Sequence, residues 1–159
     1  ERLANSGRIR KVDTLLDYGC GKGRVDCYLS YQTRCHSIGV EYDPRIYETA
    51  AENQKTAVSG GRTEFVLADA GEFPVPDAVN RAYFFNPFSV ELLQKVIRRI
   101  LDSWYEVPRE IRLFFYYPSD EYLAYLMTVD ELMFADELDC RELFDGNDAR
   151  ERIVEFVLE

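Results

Sequence analysis

The residues best placed to do chemistry come early, in "LLDYGCGKGR" at positions 15–24, where Gly19, Gly21 and Gly23 alternate just after Asp17. Alternating glycines let a backbone turn sharply and let a ligand approach closely, and a helix that follows presents unpaired N–H groups. The spacers Cys20 and Lys22 raise redox, metal and phosphate chemistry as well. A P-loop is excluded, because Gly23 rather than Ser or Thr follows Lys22 and the four-residue spacer is missing. A dinucleotide fingerprint needs GxGxxG, but position 24 is Arg, so the third glycine comes one residue early. A second acid, Glu41, lies 24 residues after Asp17 in "HSIGVEY". A carboxylate at the tip of a strand there can accept from both hydroxyls of a ribose, and Tyr42 can lie against a purine.

These residues need a frame that brings them together, and the apolar pattern supplies one. Segments "KVDTLLDYG", "HSIGVEY", "TEFVLAD", "RAYFFN" and "EIRLFFYYP" read as strands. Helices are expected in "RVDCYLSYQ", in "DPRIYETAAENQKT" with Asp43 as cap and Pro44 in the first turn, in "VELLQKVIRRILDSWY" and in "DEYLAYLMTV". The third of these helices carries Leu92, Leu93, Val96, Ile97, Ile100 and Leu101 on one face. "LMFADEL" and "RIVEFVLE" read as two strands with no helix between them, hence an antiparallel pair. The expected fold is α/β: a doubly wound, mostly parallel seven-stranded sheet with a C-terminal antiparallel hairpin and helices on both faces. Ligands of such sheets bind beyond the carboxyl ends of the strands, where the chemical residues above fall.

Composition narrows the class. The 159 residues suit one domain, and neither a membrane span nor a signal peptide appears. The chain opens on Glu1 without an initiator methionine, so a trimmed N-terminus is expected. Cys20, Cys27, Cys35 and Cys140 form no CxxC pair, and Cys35-His36 lacks the paired spacing of a zinc site. Reduced thiols, no metal and a cytoplasmic location are the expectation. The net charge of −10 is uneven: residues 1–62 carry +2 and residues 63–159 carry −12. Such a surface repels phosphate backbones, so nucleic acid is an unfavoured partner. His36, the single histidine, falls at the start of the second strand, at the wrong end of the sheet for chemistry.

The set Asp-x-Gly-x-Gly-x-Gly, the acid ending the second strand, "LADAGEF" and "FFNPF" resembles the class I S-adenosylmethionine-dependent methyltransferases across essentially the whole chain. The resemblance implies that 1–159 is one methyltransferase domain with S-adenosylmethionine as cofactor. It places the loop of Gly19, Cys20, Gly21 and Gly23 under the methionine and ribose, with Asp17 near the amino group and the Cys20 backbone facing the ligand. Glu41 would hold the ribose diol and Tyr42 would flank adenine. Asp69 and the Ala70 backbone would read the adenine edge. Asn86, Pro87 and Phe88 would face the transferable methyl. Amine-directed relatives read Asn/Asp-Pro-Pro followed by an aromatic at this point; here Phe88 and Ser89 stand in the last two places, which departs from amine specificity.

The acceptor implied is a small molecule or a protein side chain, with Tyr116, Tyr117 and Asp120 as candidate lining. Two other readings stay open: a cofactor-binding or scaffold protein without catalysis, and a nicotinamide-dependent oxidoreductase, which the glycine spacing disfavours. At Asn86-Pro87 the sequence equally allows a plain strand end with Ser89 capping the next helix.

Overall fold

The computed structural model describes residues 1–86, 88–144 and 146–159. Its strands are β1 (Thr14–Tyr18), β2 (His36–Glu41), β3 (Thr63–Leu67), β4 (Arg81–Phe84), β5 (Ile111–Tyr116), β6 (Met133–Asp139) and β7 (Arg152–Leu158). They form one sheet in the order β3-β2-β1-β4-β5-β7-β6. The first five pair in parallel, and β7 inserts antiparallel between β5 and β6, so the expected terminal hairpin closes one edge. The helices are α1 (Arg2–Asn5), α2 (Arg24–Thr33), α3 (Pro44–Thr56), α4 (Val90–Glu106) and α5 (Asp120–Leu126). None of the described helices is long and apolar enough to cross a membrane.

Neighbouring strand residues face opposite sides, which splits the core into layers. Leu16, Phe115 and Val154 point to one side, where Leu93, Val96, Ile97 and Ile100 of α4 cover them. Leu15, Phe114 and Ile153 point to the other, beneath Leu3 of α1 and Leu29 of α2. The apolar stripe read along α4 is therefore its buried face; Leu92 and Leu101 lie at its half-buried margins. The capping of α3 also follows expectation, with the Asp43 side chain accepting from the Arg45 and Ile46 N–H groups and Pro44 at the first position.

The strands are shorter than the apolar runs suggest. At the start of β1, fully buried Asp13 folds a turn by accepting from the Arg10 N–H at 2.7 Å. It also accepts from Asn80 Nδ2 at 2.9 Å and lies 3.6 Å from the buried Arg81 guanidinium. Arg81 in turn donates to the Arg8 and Asn80 carbonyls. This satisfied ion pair ties β1 to β4 at the amino end of the sheet, away from the glycine loop. The acidic stretch near the C-terminus has a structural use as well: β6 is the sheet edge, with Asp136, Glu137 and Asp139 exposed and a register shift between Phe134 and Asp136. Charge and a bulge on an edge strand discourage pairing with other chains.

Candidate functional site

At the carboxyl end of β1 the backbone turns through Gly19 (φ 67°), Gly21 (φ 58°) and Gly23 (φ 77°), all left-handed. Gly23 caps α2, and a Cβ there would come within 2.4 Å of the Phe65 ring. A Cβ on Gly21, by contrast, would meet nothing within 4 Å, so this residue borders open space. The loop is pinned from below, since the Gly19 and Cys20 N–H groups both donate to the Val40 carbonyl at 2.9 and 3.0 Å. The Cys20 N–H is thus spent on β2. Its side chain packs with Ala50 and Phe65, and burial pushes the thiol well up, which suits an inert spacer.

Glu41 reaches back over this loop. One carboxylate oxygen accepts from the Gly21 N–H at 3.0 Å; the other accepts from the Tyr42 and Asp43 N–H groups at 2.9 and 3.0 Å. A carboxylate has about four acceptor positions, so lone-pair capacity is left for a hydroxyl. Tyr42 stands on the rim, 75% exposed. After β3, Asp69 accepts from the Gly71 N–H through one oxygen (2.9 Å), and Ala70 is buried beside it. A cavity of about 290 Å³ joins these groups, lined by Gly19, Glu41, Tyr42, Asp69, Ala70 and Phe88, among others.

Asp17, Cys20, Gly21, Gly23 and Asn86 do not line that cavity. Asp17 lies below it on the α2 side of the sheet, in register with Gly39 and Tyr83. Phe88, expected to face the transferable methyl, forms a wall of the cavity and packs edge-on against Tyr18 and Phe84. Its N–H donates to the Tyr122 hydroxyl at 3.3 Å, and that hydroxyl donates to the Phe88 carbonyl. Pro87 lies outside the described residues. Asn86 sits at φ 40° and spans to the loop after β5: its amide N–H donates to the Tyr117 carbonyl, and its oxygen accepts from the Ser119 N–H at 3.3 Å. Tyr117 is left-handed too, at φ 51°. Two strained non-glycine residues thus brace each other above β4 and β5, a conformation that costs each of order 1–3 kcal/mol and persists only where the surroundings hold it.

On the α2 face a second cleft, of about 520 Å³, is lined by Tyr28, Tyr83, Tyr116, Phe144 and Arg24 among others. Of the acceptor-lining candidates, Tyr116 is here, its hydroxyl donating to Glu151 at 2.7 Å. Tyr117 turns away to Asp148 (2.5 Å), under Arg150. Asp120 opens α5, whose cap is Ser119. His36 is exposed at the amino end of β2, near Lys11, Arg34 and Arg62, as its place in the sequence implies.

Sequence reasoning passed over Asp26. It is fully buried on α2 against Asp17, and neither of its oxygens receives a hydrogen bond from a described donor. The signal was present: Asp26, Leu29 and Ser30 form an i, i+3, i+4 set, the buried face of α2.

Comparison with known proteins agrees with this geometry. A family model described as a methyltransferase domain matches residues 15–110, from β1 to the start of β5. A curated relative, 27-O-demethylrifamycin SV methyltransferase of Amycolatopsis mediterranei (strain S699), is 27% identical over 113 residues. That match covers 71% of this chain and 39% of the relative, so the chain spans well under half of that protein's length. Among solved structures, an RNA methyltransferase from Salinibacter ruber in complex with S-adenosyl-L-homocysteine aligns with a TM-score of 0.66 at 18% identity, covering 99% of this chain and 88% of the other. A TehB-like SAM-dependent methyltransferase from Corynebacterium glutamicum aligns at 0.70 and 14% identity, covering 99% and 86%. At such identities the structural matches speak for the fold alone. With the family model spanning more than half of the chain, the protein belongs to the class I S-adenosylmethionine-dependent methyltransferase family.

Proposed function

We propose that residues 1–159 work as one methyltransferase unit that moves a methyl group from S-adenosylmethionine to a neutral, largely apolar small molecule. The observation that carries the reading is the 290 Å³ cavity, which gathers Glu41, Tyr42, Asp69 and Ala70 at the carboxyl ends of β2 and β3, next to the glycine turn. These groups fit an adenosine. Glu41 retains acceptor capacity for ribose hydroxyls, Tyr42 is free to lie on a purine, and Gly21 leaves space for close approach. The Ala70 backbone and the Asp69 oxygen that receives no hydrogen bond among the described residues can read a purine edge. Asp17 supplies a carboxylate below the loop for an ammonium group.

S-adenosylmethionine, when bound, supplies an activated methyl group on a sulfonium. The chain's task is then to align the acceptor for in-line displacement and to keep water out, effects worth ~7–11 kcal/mol at best. In this reading the Asn86–Tyr117 brace fixes the rim above β4 and β5, while the aromatic cleft with Tyr83 and Tyr116 takes the body of the acceptor. The net −12 of residues 63–159 favours a neutral or cationic acceptor over a polyanion. A second reading, cofactor binding without transfer, draws support from one observation: the Asn86 amide is already engaged by the loop after β5.

Incubation with methyl-tritiated S-adenosylmethionine and parallel panels of phenolic small molecules, peptides and RNA tests the proposal. Label in a small-molecule product is expected. Label confined to RNA or peptide overturns the acceptor assignment, and binding without any labelled product supports the second reading.

A further inference from the structure

The two carboxyls buried under the glycine loop have no place in the family resemblance as a pair. Asp17 is 2% exposed and Asp26 is 0% exposed, and the buried face of α2 sets Asp26 against Asp17, with neither Asp26 oxygen receiving a hydrogen bond from a described donor. Among the described residues, the ionisable groups that act on them are acidic or neutral. Glu41 faces Asp17 from β2 and Tyr83 faces it from β4; Cys20 faces both acids from the loop, and Cys27 lies beside Asp26 on α2. β3 contributes Phe65, which packs over Gly23 and Gly39. Two ionised carboxylates cannot share such a site without a cation. One must therefore hold its proton.

Resting on the methyltransferase reading, we propose that Asp26 is a positioning residue for the cofactor: its un-ionised carboxyl donates an O–H to the Asp17 carboxylate and holds that carboxylate under the loop to receive the cofactor's ammonium group. The direction of the bond follows from the surroundings. Asp26 is the more enclosed of the two, and neither of its oxygens receives a hydrogen bond from a described donor, so its charged form would be buried without compensation. Asp17, next to the turn, is raised only to about 6, by burial first and by Glu41. A carboxylic acid kept neutral by an apolar site so that it can donate is a known arrangement of buried acids. Burial pushes the Cys20, Cys27 and Tyr83 groups upward, out of the range where Asp17 titrates. Below about pH 6 Asp17 takes up a proton, which an arriving ammonium must displace to solution; above it the carboxylate is ready.

Calorimetric titration from pH 5 to 8 tests this with two ligands. S-adenosylhomocysteine carries the ammonium group; 5′-methylthioadenosine carries the nucleoside without it. For the unmodified protein, S-adenosylhomocysteine affinity should fall below about pH 6 with proton release, while that of methylthioadenosine stays level. Asp26→Asn keeps a donor and should hold S-adenosylhomocysteine affinity within about threefold. Asp26→Leu, an apolar side chain at a buried position, removes the donor. It should weaken S-adenosylhomocysteine by about tenfold or more, move the pH midpoint upward and leave methylthioadenosine unaffected. Equal losses for both ligands, or no loss for either, overturn the proposal. If Asp26→Leu does not fold, a flat S-adenosylhomocysteine pH profile in the unmodified protein overturns it equally. Failure of the unmodified protein to bind either ligand at any pH refutes the methyltransferase reading instead.

Discussion

Truncating Glu41 to alanine separates its two tasks. In the free protein its carboxylate accepts three backbone N–H groups, but those of Tyr42 and Asp43 sit in a turn that water can reach. The loss that matters there is the tie to Gly21, worth about 1–2 kcal/mol, which lowers the melting midpoint by roughly 2–8 °C in a chain of this size. In the complex the same carboxylate is assigned both ribose hydroxyls. Two hydrogen bonds to a charged acceptor at ~1.5–3 kcal/mol each correspond to a ~10²–10⁴-fold loss of affinity. S-adenosylhomocysteine at about a hundred times its dissociation constant stabilises the unmodified protein by ~2.7 kcal/mol, a midpoint rise of roughly 5–11 °C. At that ligand concentration Glu41→Ala would be at best half-saturated, with a rise of about 1–2 °C. The assay is a thermal melt of both proteins with and without ligand. A variant that keeps the full ligand-induced rise refutes the assignment of Glu41 to the ribose, whatever its starting midpoint.

Other substitutions probe the frame that holds the site. Asp13→Ala strands the Arg81 guanidinium and should cost about 3–5 kcal/mol in a denaturant titration, whereas Asp13→Ala with Arg81→Met should recover much of it; equal losses in both would show that the pair itself was not responsible. Gly23→Ala forces a Cβ against the Phe65 ring at a left-handed position, so a drop of several kcal/mol is expected and an unchanged midpoint would contradict the packing. Asn86→Ala cuts the tie between the loops after β4 and β5; the Ser119 amide should exchange with deuterium faster while S-adenosylhomocysteine affinity holds, and unaltered exchange would discount the brace.

Much of this was legible in the sequence because it depends on local rules. Alternating glycines after an apolar run, Asp43-Pro44 at a helix start and the apolar stripe of α4 each specify a local conformation. The position of Glu41 was legible for the same reason. Its hydrogen bond from the Gly21 N–H was not, since that depends on how far the glycine loop folds back over β2. Phe88 was read as facing the transferable methyl because it follows Asn-Pro; what the sequence did not show is that the stacked Tyr18 and Phe84 rings, with the Tyr122 hydroxyl, make it a wall of the cavity that Glu41 and Asp69 line. Asp26 shows the same limit from the other side. Its burial was readable from helical spacing, but its partner, Asp17, is fixed only when α2 packs on β1.

The central claim is that the glycine turn and Glu41 form a site for a sulfur nucleoside. The most direct test is a calorimetric titration of one preparation, shown beforehand to be free of bound nucleoside, with S-adenosylhomocysteine and with NAD at pH 7.5. Saturable one-to-one binding of S-adenosylhomocysteine with no heat from NAD is the predicted result. No binding of S-adenosylhomocysteine, or NAD binding of equal strength, would contradict it.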